Sequence, residues 1–284
     1  GDCVDDTITI NFTFDGKQYQ GFLGDTLASA LLANGIKLVG RSLKYHRPRG
    51  IFSAGYEEPN ALVQLITKNI SEPNILATRL KIYEGMVANS LNNWPSLSFD
   101  LFSFLGLYKR FLPAGFYYKT FIYSSFLWQR FYEPLLRKLA GFGHSPLSED
   151  KNEYDTKYLH CDVLIIGGGV SGVSAARALS DSDSEVILVE DRNLLCESYK
   201  DLDVSNLIDS MVLFIKERIS IYNNTTVFGS YDDNYFAAIQ RFSDFNQKPN
   251  EATISERILL IRAKKVIYAT GSIERPLVFP NNDR

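Results

Sequence analysis

Residues 161–192 read CDVLIIGGGVSGVSAARALSDSDSEVILVEDR, and they decide the fold of the second half of the chain. Val163–Ile166 is a near-continuous apolar run, as a parallel strand buried on both faces requires. Gly167, Gly169 and Gly172 follow at once as G-x-G-x-x-G, a helix pattern runs from Gly172 to Leu179, and Glu185–Val189 is a second strand ending in an acid, Glu190. The glycine pattern alone is weak. With a strand before it, a helix after it and an acid at the next strand tip, it is a strong dinucleotide-binding signal.

Each residue type has a physical reason. Gly167 allows the tight strand-to-helix turn. Gly169 lacks a Cβ, so the backbone can approach a pyrophosphate. Gly172 lets the helix pack close to the strand. The helix N-terminus offers free N–H groups and a positive dipole end to phosphates. Glu190 can accept hydrogen bonds from the adenosine ribose hydroxyls, and its charge repels a 2′-phosphate, which favours NAD or FAD over NADP. Arg192 beside Asp191 is a counter-signal for NADP, which Glu190 at the strand tip outweighs.

Outward toward the C-terminus, TTVFGSYDDNYFAAIQRF reads as a hairpin, preceded by a helix with Leu207, Met211, Phe214 and Ile215 on one face. ERILLIRAKKVIYATGSIERP reads as a strand, a turn and a strand ending in Ala269-Thr270-Gly271. Strand, helix, strand, helix, hairpin and a strand ending in A-T-G is the order of flavoproteins with two dinucleotide-binding domains. In that family the A-T-G turn lies beside the cofactor, so Thr270 and Gly271 join the expected site.

Outward toward the N-terminus, the polar segment Ser148–Lys157 reads as a linker. Residues 91–145 are dense in Phe, Tyr and Leu. Asp100, Lys109, Arg110, Lys119 and Arg130 interrupt every apolar run, and Pro113 and Pro134 break the helices. A membrane span needs about 18 or more consecutive apolar residues, so the expected role is an aromatic arm laid over another domain or subunit. At the start of the chain, Ile8, Ile10, Phe12 and Phe14 alternate with polar residues in the period of a half-buried strand, and Asp15-Gly16 marks a hairpin turn. Asp25 or Thr26 caps a short helix with Leu27, Ala30 and Leu31 on one face and Gly35 at its left-handed end. Ala61–Ile66 reads as a strand. Together these elements make a small β-grasp-like module.

Between helix and strand lies the loop in GRSLKYHRPRGIFSAGYEEPNALVQL, Gly40–Leu65, with Arg41, Lys44, His46, Arg47 and Arg49 in close succession. Nucleic acid is a poor fit. The 284-residue chain has 45% hydrophobic residues, net charge −3 and a pI of about 5.7, and one basic loop without an aromatic platform is thin support on an acidic chain. Cys3, Cys161 and Cys196 are too widely spaced for a metal site and odd in number, which suits a reducing cytoplasm. His46, His144 and His160 are scattered. No acid–base dyad, nucleophile or metal cluster stands out, so no catalytic and no metal residue is assigned.

The stretches GDTLASALLANGIKLVGRSLKYHRPRGIFSAGYEEPNALV, LPAGFYYKTF and ATGSIERPLVFPNNDR together resemble the alpha subunits of heterotetrameric sarcosine oxidases. The resemblance implies an N-terminal ferredoxin-like module that has lost its [2Fe–2S] cluster, then an NAD-binding domain, then a folate-binding domain beyond Arg284. It implies FAD in a beta subunit and a covalent FMN at the alpha–beta interface. Laid over the loop, the C-x4-C-x2-C of cluster-bearing relatives falls on Ser53, Glu58 and Ala61, with Thr78 as the fourth position. None supplies a thiolate, and such clusters take about four. The loop's Arg and His residues are then expected to hold its shape by bonding neighbouring carbonyls, or to face a partner subunit.

The resulting expectation is α+β followed by α/β. A ferredoxin-like β-grasp module without a cluster spans residues 1–90 and an aromatic arm and linker residues 91–159. A truncated FAD/NAD(P)-binding Rossmann-like domain spans residues 160–284. The cofactor is NAD, with FAD as the alternative. The partners are other subunits of a hetero-oligomeric oxidase, with no nucleic acid and no membrane. The rival readings are an alpha subunit of a related FAD-dependent amine, opine or hydroxyproline dehydrogenase, and a non-catalytic nucleotide-binding module.

Overall fold

The computed structural model describes residues 4–66, 71–111, 115, 123–146, 152–196, 205–242, 254–273, 277 and 279. Most of LPAGFYYKTF, Cys3, and most of the chain after Ile273 lie outside these residues. The chain divides into two compact units, residues 4–150 with 275–284, and residues 151–274 with 1–3.

The first unit holds a five-stranded sheet of β1 (Asp5–Phe14), β2 (Lys17–Leu23), β5 (Leu62–Ile66), β6 (Ser71–Leu76) and β7 (Met86–Ser90), in the order β2-β1-β7-β5-β6. A two-stranded ribbon, β3 (Gly40–Arg41) and β4 (Pro48–Arg49), closes the basic loop. The β1–β2 hairpin turns at Asp15 and Gly16, with φ of 48° and 75°. Ile10, Phe12 and Phe14 are buried as their alternation predicts, but Ile8 is 44% exposed. The β1–β2 register shifts between Asp5 and Thr9, so Ile8 falls out of phase with the core face. Helix α1 (Leu27–Ala33) packs across this sheet through Leu27, Ala28, Ala30 and Leu31, and Thr26 caps it in a reciprocal box with Ser29.

The arm's described residues belong to this same unit. A 3-10 helix spans Leu101–Phe111. A short turn of α-helix, Ser125–Leu127, runs through a π turn, Trp128–Tyr132, into α2 (Glu133–Ala140). The arm is tied to β5 through Gln64, and its own start is tied to the end of α2. Asn92 Nδ2 donates to Ala140 O at 2.6 Å, Gln64 Nε2 to His144 O at 3.0 Å, and His144 N to Gln64 Oε1 at 2.9 Å.

The second unit is a six-stranded sheet of β8 (Glu153–Ile166), β9 (Val186–Val189), β10 (Ser220–Tyr222), β11 (Thr225–Tyr231), β12 (Tyr235–Arg241) and β13 (Ile254–Tyr268). The order is β10-β9-β8-β13-β12-β11, with the first four strands parallel and the last two joined antiparallel. Helices α3 (Val170–Leu179) and α4 (Ser205–Lys216) pack on one face. This is the Rossmann-like arrangement expected.

Three sequence expectations change. Glu153–Lys157 is the first part of β8, not linker, because β13 pairs with it from Ile254 onward. The ERILLIRAKKVIY segment is one continuous strand, not strand–turn–strand, since β8 holds it along its length and β12 covers its first half. On α4 the buried residues are Ile208 and Ile215 with Met211 beside them, while Leu207 is 63% exposed. Ile208, Met211 and Ile215 fit the 3.6 period that places one stripe on the sheet.

The two long strands also slip together. Leu159 and Cys161 pack in the same core cluster as Leu164 and Ile166, and Leu259, Ile261 and Ala263 in the same cluster as Val266. Asp162 N and Val163 N both donate to Glu185 O at the slip. Because β8 and β13 shift phase at the same level, their mutual register is kept.

Candidate functional site

Three parallel neighbours, β9, β8 and β13, end side by side. The glycine turn leaves β8, Glu190 leaves β9, and Ala269-Thr270-Gly271 leaves β13, so the fold gathers most of the expected site at the carboxyl edge of one sheet, where such sheets bind ligands. Ala269 N donates to Ile166 O, and Gly167 N to Val189 O, each at 2.8 Å.

The glycines do different work. Gly167 has φ +107°, and a Cβ there would stand 2.3 Å from Ala269 O. A Cβ on Gly172 would stand 1.8 Å from Gly167 O. Both are fixed by the protein's own backbone. Gly168, which the spacing pattern passes over, is fixed too: its Cβ would meet Leu195 at 2.4 Å and the Glu190 Cβ at 2.9 Å. The middle glycine of the GGG run was the available signal. Gly169 is the exception. Its φ is −71°, and a Cβ would meet nothing within 4 Å. It is the N-cap of α3 without a side-chain capping bond, so it presents open space at a helix N-terminus whose N–H groups suit an anion.

Glu190 is 7% exposed. Its Oε2 accepts from Gly168 N at 2.5 Å, and its Oε1 from Arg192 N at 3.0 Å. Burial, with the Asp191 side chain beside it, pushes this carboxyl up to about 7, against the downward pull of the two N–H groups. Arg192 O accepts from Asn224 N at 2.9 Å, tying the strand tip to the β10–β11 turn. Thr270 and Gly271 are exposed, Gly271 with φ 76°.

Cys196 closes on the same turn, its N donating to Gly168 O at 2.9 Å. Cys161 and Cys196 are free, buried and packed in different core clusters. Burial, with neighbouring carboxylates, pushes both thiols up to about 11, so at neutral pH both stay protonated and unreactive.

In the first unit the cluster-type loop has its own centre. Glu58 is 3% exposed. Its Oε2 accepts from Phe52 N at 2.7 Å and Ser53 N at 2.6 Å, and its Oε1 from Asn60 N at 2.7 Å and Ala61 N at 3.0 Å. Thr78 Oγ1 donates to Gly55 O of the same loop at 2.8 Å. The four overlaid positions are therefore gathered, but their side chains are hydroxyl, carboxylate, methyl and hydroxyl. They do not supply the thiolates that a [2Fe–2S] cluster takes. Among the described residues no group of three or more His, Cys, Asp or Glu could hold a metal ion.

Two of the loop's basic residues, Arg41 and His46, are buried against the arm. His46 Nδ1 lies 2.7 Å from Asp100 Oδ2, and His46 Nε2 lies 2.7 Å from Leu139 O. Arg41 donates to Leu97 O at 2.9 Å and His46 O at 2.8 Å, and stands 3.6 Å from Asp100. Phe102 packs edge-on to His46 and stacks with Trp94. Arg41 and His46 thus bond neighbouring carbonyls, as expected. Among the described residues no helix is long and apolar enough to cross a membrane.

Residues 7–93 match the family described as 2Fe-2S iron-sulfur cluster binding domain, and residues 139–283 that described as Pyridine nucleotide-disulphide oxidoreductase. The sarcosine oxidase subunit alpha of Rhizobium meliloti (strain 1021) is 45% identical over 99% of this chain and 29% of its own length. That of Corynebacterium sp. (strain U-96) is 35% identical over 99% of this chain and 25% of its own. The chain thus spans between a quarter and a third of these relatives' length. The crystal structure of L-proline dehydrogenase from P. horikoshii shares the fold, with a TM-score of 0.57 at 22% identity over 97% of this chain and 43% of that one. With half its length matched by the second of these families, at a site built as the glycine turn and Glu190 build it, the chain belongs to the pyridine nucleotide-disulphide oxidoreductase family.

Proposed function

We propose that this chain is the nucleotide-binding part of the alpha subunit of a sarcosine oxidase, and that it binds NAD at the β8–α3 turn. The observation that carries the binding is Gly169: a glycine whose missing Cβ serves no contact within the protein, at an uncapped helix N-terminus. The pyrophosphate approaches there. Glu190 accepts from the ribose hydroxyls, Asp191 and Arg192 border the ribose, and Thr270 and Gly271 flank the dinucleotide from the β13 end. Bound NAD supplies a nicotinamide ring able to exchange hydride. Gly167 and Gly172 hold the shape of the turn.

The assignment to sarcosine oxidation rests on the likeness to its alpha subunits along nearly the whole chain. The whole complex oxidatively demethylates sarcosine to glycine, reduces O2 to peroxide and passes the formaldehyde equivalent to tetrahydrofolate. No catalytic residue is assigned to residues 1–284. Their part is nucleotide binding and subunit contact, with the aromatic arm offering Phe99, Phe104, Phe126 and Phe131 as exposed contact surface. The module of residues 1–90 carries no iron–sulfur cluster. A reducing cytoplasm suits the three cysteines.

The test is to release the nucleotide from purified protein by heat, identify it by chromatography, and assay iron and sulfide after anaerobic reconstitution. NAD without flavin absorbance, and neither iron nor sulfide in stoichiometric amount, is the expected result. Stoichiometric FAD from this site would overturn the NAD assignment in favour of the dehydrogenase-type reading, and a stoichiometric cluster would overturn the cluster-free assignment.

A further inference from the structure

We infer that Glu58 is a built-in anion: its carboxylate occupies a backbone nest of the kind that cradles an iron–sulfur cluster, and the loop folds around it. The nest consists of the N–H groups of Phe52, Ser53, Asn60 and Ala61, which converge on one carboxylate from both ends of the loop. Convergent backbone N–H groups form anion-binding concavities and recur at phosphate and Fe–S sites. An iron–sulfur cluster is negatively charged through its thiolates and sulfides and takes hydrogen bonds at sulfur. A loop of that shape with no anion inside would bury donors without acceptors, at a cost that folding does not sustain.

Glu58 meets that demand from within. It stands at the second position of the C-x4-C-x2-C spacing laid on Ser53, Glu58 and Ala61. Its two oxygens split the donors, Oε2 taking those on the Ser53 side and Oε1 those on the Ala61 side. Thr78 closes the ring through Gly55 O. Earlier in the same Gly40–Leu65 stretch, Arg41 and His46 are buried against Asp100 and Leu139 of the arm. An internal carboxylate stands in a loop that lacks thiolates. The loop becomes independent of metal and of redox state while keeping its fold.

The test uses amide hydrogen exchange, read by mass spectrometry on the full chain with Glu58→Ala and Glu58→Gln, with β1 as internal reference. In Glu58→Ala the amides of residues 52, 53, 60 and 61 should exchange on the order of 10²-fold faster, while those of β1 stay as in the wild type. Formate or acetate should restore protection in Glu58→Ala by entering the vacated nest, and chloride at equal ionic strength should not. If Glu58→Ala does not fold, Glu58→Gln carries the test. Its single acceptor oxygen can serve one pair of donors, so either residues 52 and 53 or residues 60 and 61 should lose protection. Unchanged exchange in both variants, or local acceleration in Glu58→Ala that no carboxylate reverses, would overturn the inference.

Discussion

The loop around Glu58 and the turn around Gly169 are two versions of one device, a backbone whose N–H groups suit an anion. They differ in where the anion comes from. Phe52, Ser53, Asn60 and Ala61 close on a side chain of their own loop. The α3 N-terminus has no side-chain cap and faces open space at Gly169. A nest filled from within is a piece of core and holds structure. A nest left open is free to take an anion from outside the chain. The chemistry of the donors alone does not separate the two; the presence or absence of a resident carboxylate does.

If the first loop is structural, its outer anchors should matter to stability more than any change at the open turn. Asp100 is buried against His46 and Arg41 and also accepts from Trp94 N and Phe102 N. Asp100→Ala leaves the buried Arg41 guanidinium without its counter-charge and the His46 ring without its side-chain partner, and about 3–5 kcal/mol of stability should be lost. Urea denaturation followed by tryptophan fluorescence reads this unit, because the two tryptophans, Trp94 and Trp128, both lie in it. A loss below about 1 kcal/mol would mean that the arm is not held through this loop.

The open turn should show the opposite pattern. Gly169→Val places a side chain in space that the protein does not use, so dinucleotide affinity should fall by about 100-fold or more, near 2.8 kcal/mol at about 1.4 kcal/mol per decade. Stability should change by about 1 kcal/mol or less, the cost of a poor N-cap. Calorimetric titration with NAD beside a thermal melt checks both. Equal affinity would remove Gly169 from the pyrophosphate site.

The smallest effect separates the two nests by pH. Glu190 sits at about 7, raised by burial and Asp191. Ribose hydroxyls donating to it favour the charged form, so binding should release a proton near neutral pH. Affinity should weaken below about pH 7, approaching tenfold per pH unit at most. Without ligand the sign reverses. The folded module keeps a proton that the unfolded chain gives up, so its stability falls as pH rises from about 4.5 to about 7. Titration in buffers of different ionisation enthalpy measures the proton, and Glu190→Gln should abolish both trends. A pH-independent affinity in the wild type would show that Glu190 does not meet the ribose.

Much of this was legible in the sequence because it is local. Asp15-Gly16 fixes a turn, Thr26 caps the helix it precedes, and G-x-G-x-x-G between an apolar run and an acid-tipped strand specifies a strand, a turn and a helix. Such signals depend on backbone conformations that a few adjacent residues dictate. Tertiary structure decided the rest. The register shift that exposes Ile8, the choice of Ile208 over Leu207, and the recruitment of Glu153–Lys157 into β8 follow from partners distant in the chain. Gly168 is required by Leu195 and Glu190, and Gly167 by Ala269, contacts that no spacing rule reveals. Glu58 is the clearest case. In sequence it is one more position where a cysteine is lacking. In the fold it is an acceptor for four N–H groups, because a donor's need for an acceptor is met by whatever the folded chain brings near it.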